Sequence, residues 1–191
     1  MKQTFQIRRA CGDDRAAQIV EFALSLPLLM LFVVGIFDFS GALSLKQKLT
    51  NAARDGARVA AADPASDLGN SSGVPASVSD AFQVVDNYLL AEKINDCGLA
   101  GPPPVTPAPA GTLIWKSTAA TGCPAPGIIL TINRGCITVQ ALNTGPTDVV
   151  DTCVTIQYPY KWRFSGVSGL LGKTVSGPSS ISTTATAFNE N

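Results

Sequence analysis

Apolar and polar positions divide the chain into a long N-terminal apolar run, two helical stripes and a set of alternating segments. From Ile19 to Phe37 the run IVEFALSLPLLMLFVVGIF carries one charge, Glu21. At about 1.5 Å per residue it spans roughly 28 Å, close to the hydrocarbon thickness of a bilayer, which predicts one membrane-crossing helix. Pro27 removes a backbone hydrogen bond inside it, which predicts a kink toward its start. Beyond Phe37 the hydrophobicity thins into Leu45, Leu49, Ala52, Gly56, Val59 and Ala60, spaced at three and four residues. That is a helical period, with Lys46, Lys48, Arg54, Asp55 and Arg58 on other faces. Asp63-Pro64 supplies the stop, since a residue before proline avoids helical geometry. A continuous helix from Ala17 to Ala62 would be about 69 Å long, half in lipid and half projecting.

Ala52/Gly56/Ala60 and Ala53/Ala57/Ala61 recur every four positions on the projecting half. Small residues at that spacing let another backbone approach closely, either the chain's own sheet or a neighbouring subunit. Asp63 to Pro75 is a loop by composition. Val78, Ala81, Phe82, Val85 and Leu89 then predict a second amphipathic helix, about Ser77 to Glu92, with Ser77 and Asp80 as an imitation of a capping box.

The proline-rich stretch Gly98 to Gly111 reads as an extended connector. Strands are predicted at Thr112–Lys116, Gly127–Asn133, Cys136–Leu142, Thr152–Tyr160 and Ser180–Phe188. Ile137, Val139 and Ala141 alternate with Thr138 and Gln140, and Val154, Ile156 and Tyr158 with Thr155 and Gln157. That pattern means one covered face and one wet face, hence an α+β fold with helix packed on an antiparallel sheet. The domain organisation is a leader at 1–16, a helical rod at 17–62 and an extracytoplasmic α+β domain at 63–191.

Equal numbers of acidic and basic residues, 14 each, argue against a nucleic-acid surface, which needs a basic excess. The chain has no histidine, which removes Ser-His-Asp and Cys-His catalysis. Asp148 and Asp151 are the nearest acid pair and read as solvated turn carboxylates, so no catalytic site and no cofactor are expected. Cys97, Cys123, Cys136 and Cys153 form an even set with no Cys-x-x-Cys pair, which favours two disulfides over a metal site. A two-residue turn at Thr144-Gly145 would set Cys136 directly opposite Cys153, leaving Cys97 to pair with Cys123 across the connector. Cys11 is left free.

Met1 to Arg15 is short and basic and, with Ala16, reads as a leader. Lys2, Arg8, Arg9 and Arg15 precede the apolar run, so the positive-inside rule places the N-terminus in the cytoplasm and the body outside it. Conventional signal cleavage after Ser40-Gly41-Ala42 is the competing reading. Glu21 lies near the edge of the run, where a carboxylate either snorkels to headgroups or has a function.

Arg15 to Ala61 resembles the N-terminal signature of TadE/TadG-like proteins, the minor pilins or pseudopilins of the tight-adherence (Flp, type IVb) pilus machinery. The resemblance rests on Val20-Glu21-Phe22-Ala23-Leu24, Leu26-Pro27, Gly35-Ile36-Phe37-Asp38-Phe39 and Asn51-Ala52-Ala53-Arg54-Asp55-Gly56-Ala57-Arg58. It implies a pilin-like subunit of the bacterial inner membrane with a periplasmic body. It further implies prepilin peptidase cleavage between Ala16 and Ala17, making Glu21 the fifth mature residue, paired with the N-terminal amine of a neighbouring subunit. The family usually has glycine where this chain has Ala16. The implied partners are the peptidase, other pilin subunits, the inner-membrane assembly platform and membrane lipid. A single-pass periplasmic binding module that never enters a filament is the alternative.

Overall fold

The computed structural model describes residues 14–64, 66, 68, 74–99, 106–107, 113–142, 145–162 and 179–189. Cys11 and most of the leader, much of the proline-rich connector and Thr144 lie outside them. The chain divides into two compact units, Met1–Gly41 with Trp162–Val175 and Ala42–Lys161 with Ser176–Asn191. The described part of the first is almost entirely the start of one helix.

That helix, α1, runs Asp14–Ala62 as 49 residues and continues through Pro27. Pro27 has no amide to offer the Ala23 carbonyl. The length follows from a composition of alanine, leucine and straight-chain residues, with no breaker pair until Asp63-Pro64. No basic residue stands in its own last turn. The buried Arg134 guanidinium instead donates to the Asp63 carbonyl at 2.9 Å, serving the helix end from the sheet.

In the second unit, α2 (Ala76–Ala91) buries Val78, Ala81, Phe82, Val85 and Leu89, the stripe read from the sequence, and also Ser77 and Asp86. The capping-box expectation is not met, because the helix starts a residue earlier. Pro75 is its N-cap, no side chain caps it, and the Val78 and Ser79 amides donate to the Pro75 carbonyl. Proline preset in an extended conformation replaces the serine cap.

The sheet is antiparallel in the order β1 (Thr106–Pro107), β2 (Ile114–Ala119), β3 (Ile128–Leu142), β4 (Gly145–Pro159) and β5 (Ser180–Phe188). Four strands make its body and β1 adds two residues at an edge. Trp115, Ile128, Leu130, Ile132, Val154, Ile156 and Ala185 join Leu49, the small residues of α1 and the α2 stripe in one core. Each fully buried Val, Leu or Ile contributes about 1.5–3 kcal/mol.

Two expectations are corrected here. The two segments read as separate strands, Gly127–Asn133 and Cys136–Leu142, are one strand, β3, with a register shift between Asn133 and Cys136. Past that shift Ile137 pairs with Val150 and both are exposed, so Ile137 does not continue the covered face. The shift itself is not the cause, because Val150 keeps the parity of the buried Val154 and Ile156 along β4; the covering of that face ends before this pair. Asp148 and Asp151 belong to β4 rather than to a loop, and Asp151 is buried.

Leu49 is fully buried and Leu45 half-buried against the core, whereas Val59 is half-buried. Ala52, Ala53, Ala57 and Ala60 carry the packing. A Cβ at Gly56 would meet Val85 Cγ2 at 2.7 Å, the Ala81 carbonyl oxygen at 3.5 Å and Val154 Cγ1 at 3.8 Å. The small stripes therefore pack on the chain's own α2 and sheet. Thr50 and Thr183 share a hydroxyl hydrogen bond of 2.8 Å that ties α1 to β5, and Lys48 pairs with Glu92 beyond the end of α2 at 3.0 Å. The ion pair is half in water and is worth little beside the core.

Candidate functional site

The N-terminal candidates all fall on α1. Ala16 sits in its first turn, Ala17 and Glu21 are exposed, and Pro27 lies within the helix. Ala17 and Glu21 are one helical turn apart, about 6 Å along the axis, on one face. Around them Ile19, Phe22, Leu24, Leu28, Leu29 and Phe32 are exposed. The most apolar window has a mean hydropathy of 2.4 and none of it is buried by the chain itself. Such a surface demands an apolar surrounding, and the helix is compatible with a membrane anchor.

The four cysteines belong to the second unit. Cys97 is joined to Cys123 with Cα atoms 5.4 Å apart, and Cys136 to Cys153 with Cα atoms 6.0 Å apart. Direct opposition does not explain the second pair. Leu142 pairs with Gly145, so the turn falls one residue earlier than the counting assumed, and Cys136 stands opposite Asp151 while Cys153 stands opposite Asn133. The register shift brings the two sulfurs together diagonally. Cys97 has a left-handed backbone, φ 58°, and its amide donates to Asn95 Oδ1 at 3.0 Å.

With this geometry in view, the family comparison is specific about place. Residues 16–58 match the family model described as TadE-like protein. Over those residues the chain is TadE-like. No curated protein and no solved structure matched the chain. The TadE-like segment starts at the residue before Ala17 and takes in both the exposed apolar part of α1 and the small-residue part buried in the core.

Among the described residues no group of three or more His, Cys, Asp or Glu is placed to hold a metal ion. One titratable cluster escaped the sequence reading. Asp86, on the buried face of α2, has its pKa raised by burial first, then by the charge of Asp96 and by a hydrogen bond with it. Tyr158 is pushed up as well, by burial and then by Asp96, and its hydroxyl donates to the Asn95 carbonyl at 2.9 Å. The only available signal was an aspartate at a position completing the apolar stripe, four residues after Phe82 and three before Leu89.

Because Asp86 holds its proton more tightly when folded, its contribution to stability is complete below the ordinary carboxylate range and is lost as pH rises through the raised value. Stability should therefore decline from about pH 4 upward through this group. Asp86→Asn should flatten that decline, as thermal unfolding of the two proteins across the pH range will show. Identical pH profiles would mean that Asp86 titrates normally.

Proposed function

We propose that this protein is a membrane-anchored minor pilin or pseudopilin taking part in assembly of a Flp-type (type IVb) pilus used in adherence, a structural subunit rather than an enzyme. The observation carrying this reading is that the TadE-like match covers one continuous helix, apolar and exposed at its start and locked into a folded domain at its end. Such a helix can hold a subunit in the inner membrane with its body in the periplasm until assembly. A prepilin peptidase would release the leader between Ala16 and Ala17, and Glu21 would then meet the new amine of a neighbouring subunit. Opposite charges at about 4 Å gain on the order of 4 kcal/mol at an intermediate dielectric, before desolvation is subtracted. The other partners are further pilin subunits and the assembly platform.

Conventional cleavage after Ala42 would cut within α1, at a buried residue, just before the part that enters the core. N-terminal sequencing of the membrane-associated protein decides among the readings. Ala17 is expected. Met1 or Lys2 would identify a retained anchor that never enters a filament, and Leu43 a conventionally secreted protein. In the same strain Glu21→Gln should leave cleavage intact while reducing co-purification with other pilin subunits by at least tenfold. Unchanged co-purification would return Glu21 to a headgroup-seeking carboxylate.

A further inference from the structure

The far edge of the sheet carries a feature that pilus assembly does not account for. β5 reads SISTTATAF and pairs in regular register with β4, and among the described residues it has no partner on its other side. Exposed edges are ordinarily protected by lysine, proline or a bulge, and this strand has none of them. Thr183 and Ala185 face the core while Ser182, Thr184, Thr186 and Phe188 are exposed.

Beside that edge lies a cleft of about 400 Å³, walled by Arg54, Arg58 and Ala62 of α1 and by Thr186, Ala187 and Phe188 of β5. Both arginines are exposed, and among the described residues neither has an ion-pair or hydrogen-bond partner. α1 follows β5 along its length. Thr50 touches Thr183, and Ala61 and Ala62 reach the cleft beside residues 186–188. Twelve helical residues advance about 18 Å and five strand residues about 17 Å, so the two run side by side.

We propose that the β5 edge and the Arg54/Arg58 pair together form a docking site for an extended, acidic segment of a partner protein. The segment adds a strand to the sheet through main-chain hydrogen bonds. Its side chains on the α1-covered side then point toward the arginines. Arg54 and Arg58 are one turn apart, roughly 6 Å, and alternate residues of a strand are about 6.7 Å apart on one face. The site therefore selects carboxylates at alternating positions, each accepting from a guanidinium fork. Charge complementarity decides against a second copy of this chain pairing edge to edge, since β5 itself carries no acid.

The test uses the detergent-solubilised full chain with its disulfides intact and fluorescein-labelled octapeptides of valine and threonine. One peptide has glutamate at two alternating positions, one at two adjacent positions, one has glutamine in place of both, and one is the alternating acid peptide N-methylated at every second residue. By fluorescence anisotropy the alternating acid peptide should bind at least tenfold more tightly than each of the others. Arg54→Gln with Arg58→Gln should abolish that advantage, while the circular dichroism spectrum and unfolding midpoint stay unchanged. Equal binding of the glutamate and glutamine peptides, or undiminished binding by the double variant, would overturn the arginine site. Undiminished binding of the N-methylated peptide would overturn strand addition. None of these outcomes depends on leader cleavage or on filament formation, so this site and the pilin reading can fail separately.

Discussion

Gly56→Val is expected to lower the stability of the folded unit by about 3 kcal/mol or more, the upper range for overpacking a tight core. The first carbon added at Gly56 would lie 2.7 Å from Val85 Cγ2 and 3.5 Å from the Ala81 carbonyl oxygen. Val85 cannot turn aside readily. It is fully buried, and a β-branched residue within a helix holds essentially one χ1 rotamer. Alanine at the same place meets the same first clash and recovers only about 1 kcal/mol of helix propensity over glycine, so Gly56→Ala should also destabilise, by less than Gly56→Val. Shortening the opposing side chain is the control. Gly56→Val with Val85→Ala should recover part of the loss, with a coupling between the two sites of roughly 1–3 kcal/mol. Urea unfolding of the full chain in detergent measures all four proteins. A Gly56→Val protein as stable as its parent would show that α1 and α2 do not meet at this residue.

Removing the Cys97–Cys123 bridge by Cys97→Ala with Cys123→Ala should cost about 3 kcal/mol or slightly more, because a crosslink over 26 residues restricts the unfolded chain by that amount in the chain-entropy account. Local structure adds to the loss. Cys97 is fully buried, holds a left-handed backbone and accepts at its carbonyl from the Thr121 amide at 2.8 Å, so the bridge ties the end of α2 to the turn before β3. The Cys136–Cys153 bridge spans 17 residues and joins strands that already pair along a long ladder. Residual pairing in the unfolded hairpin should reduce its effect below the figure of about 3 kcal/mol that loop length alone implies. Non-reducing urea unfolding of the two double variants should rank them in that order. The reverse order would locate the main constraint in the β3–β4 hairpin.

How much of this was legible in the sequence depends on the range of the interaction responsible. α1 and α2 were readable because their signals repeat within a few residues. The apolar run needs only length and composition, and the stripe from Val78 to Leu89 needs only the helical period. β5 was read with its observed bounds, Ser180–Phe188, because a short alternating run stands between polar flanks. The quoted TadE-like blocks are likewise local, contiguous and in one register.

The remainder depends on partners distant in the chain. Nothing near Asn133 or Cys136 announces the register shift, which is decided when β3 meets β4, and the same shift sets the diagonal position of Cys136 and Cys153. Arg134 reads as an ordinary surface cation until the fold brings the Asp63 carbonyl, 71 residues away in sequence, within 2.9 Å. Asp86 reads as one polar residue on a helix until burial and Asp96 raise its pKa. A long apolar helix leading into a small-residue stripe, a second amphipathic helix and a set of half-covered strands are all readable from residue order alone, because periodicity and length are properties of neighbouring residues. Which residue the small stripe admits, where the ladder slips, which charges are buried and that Arg54 and Arg58 lie beside β5 were settled by the three-dimensional packing, because each is a matter of which distant surfaces touch.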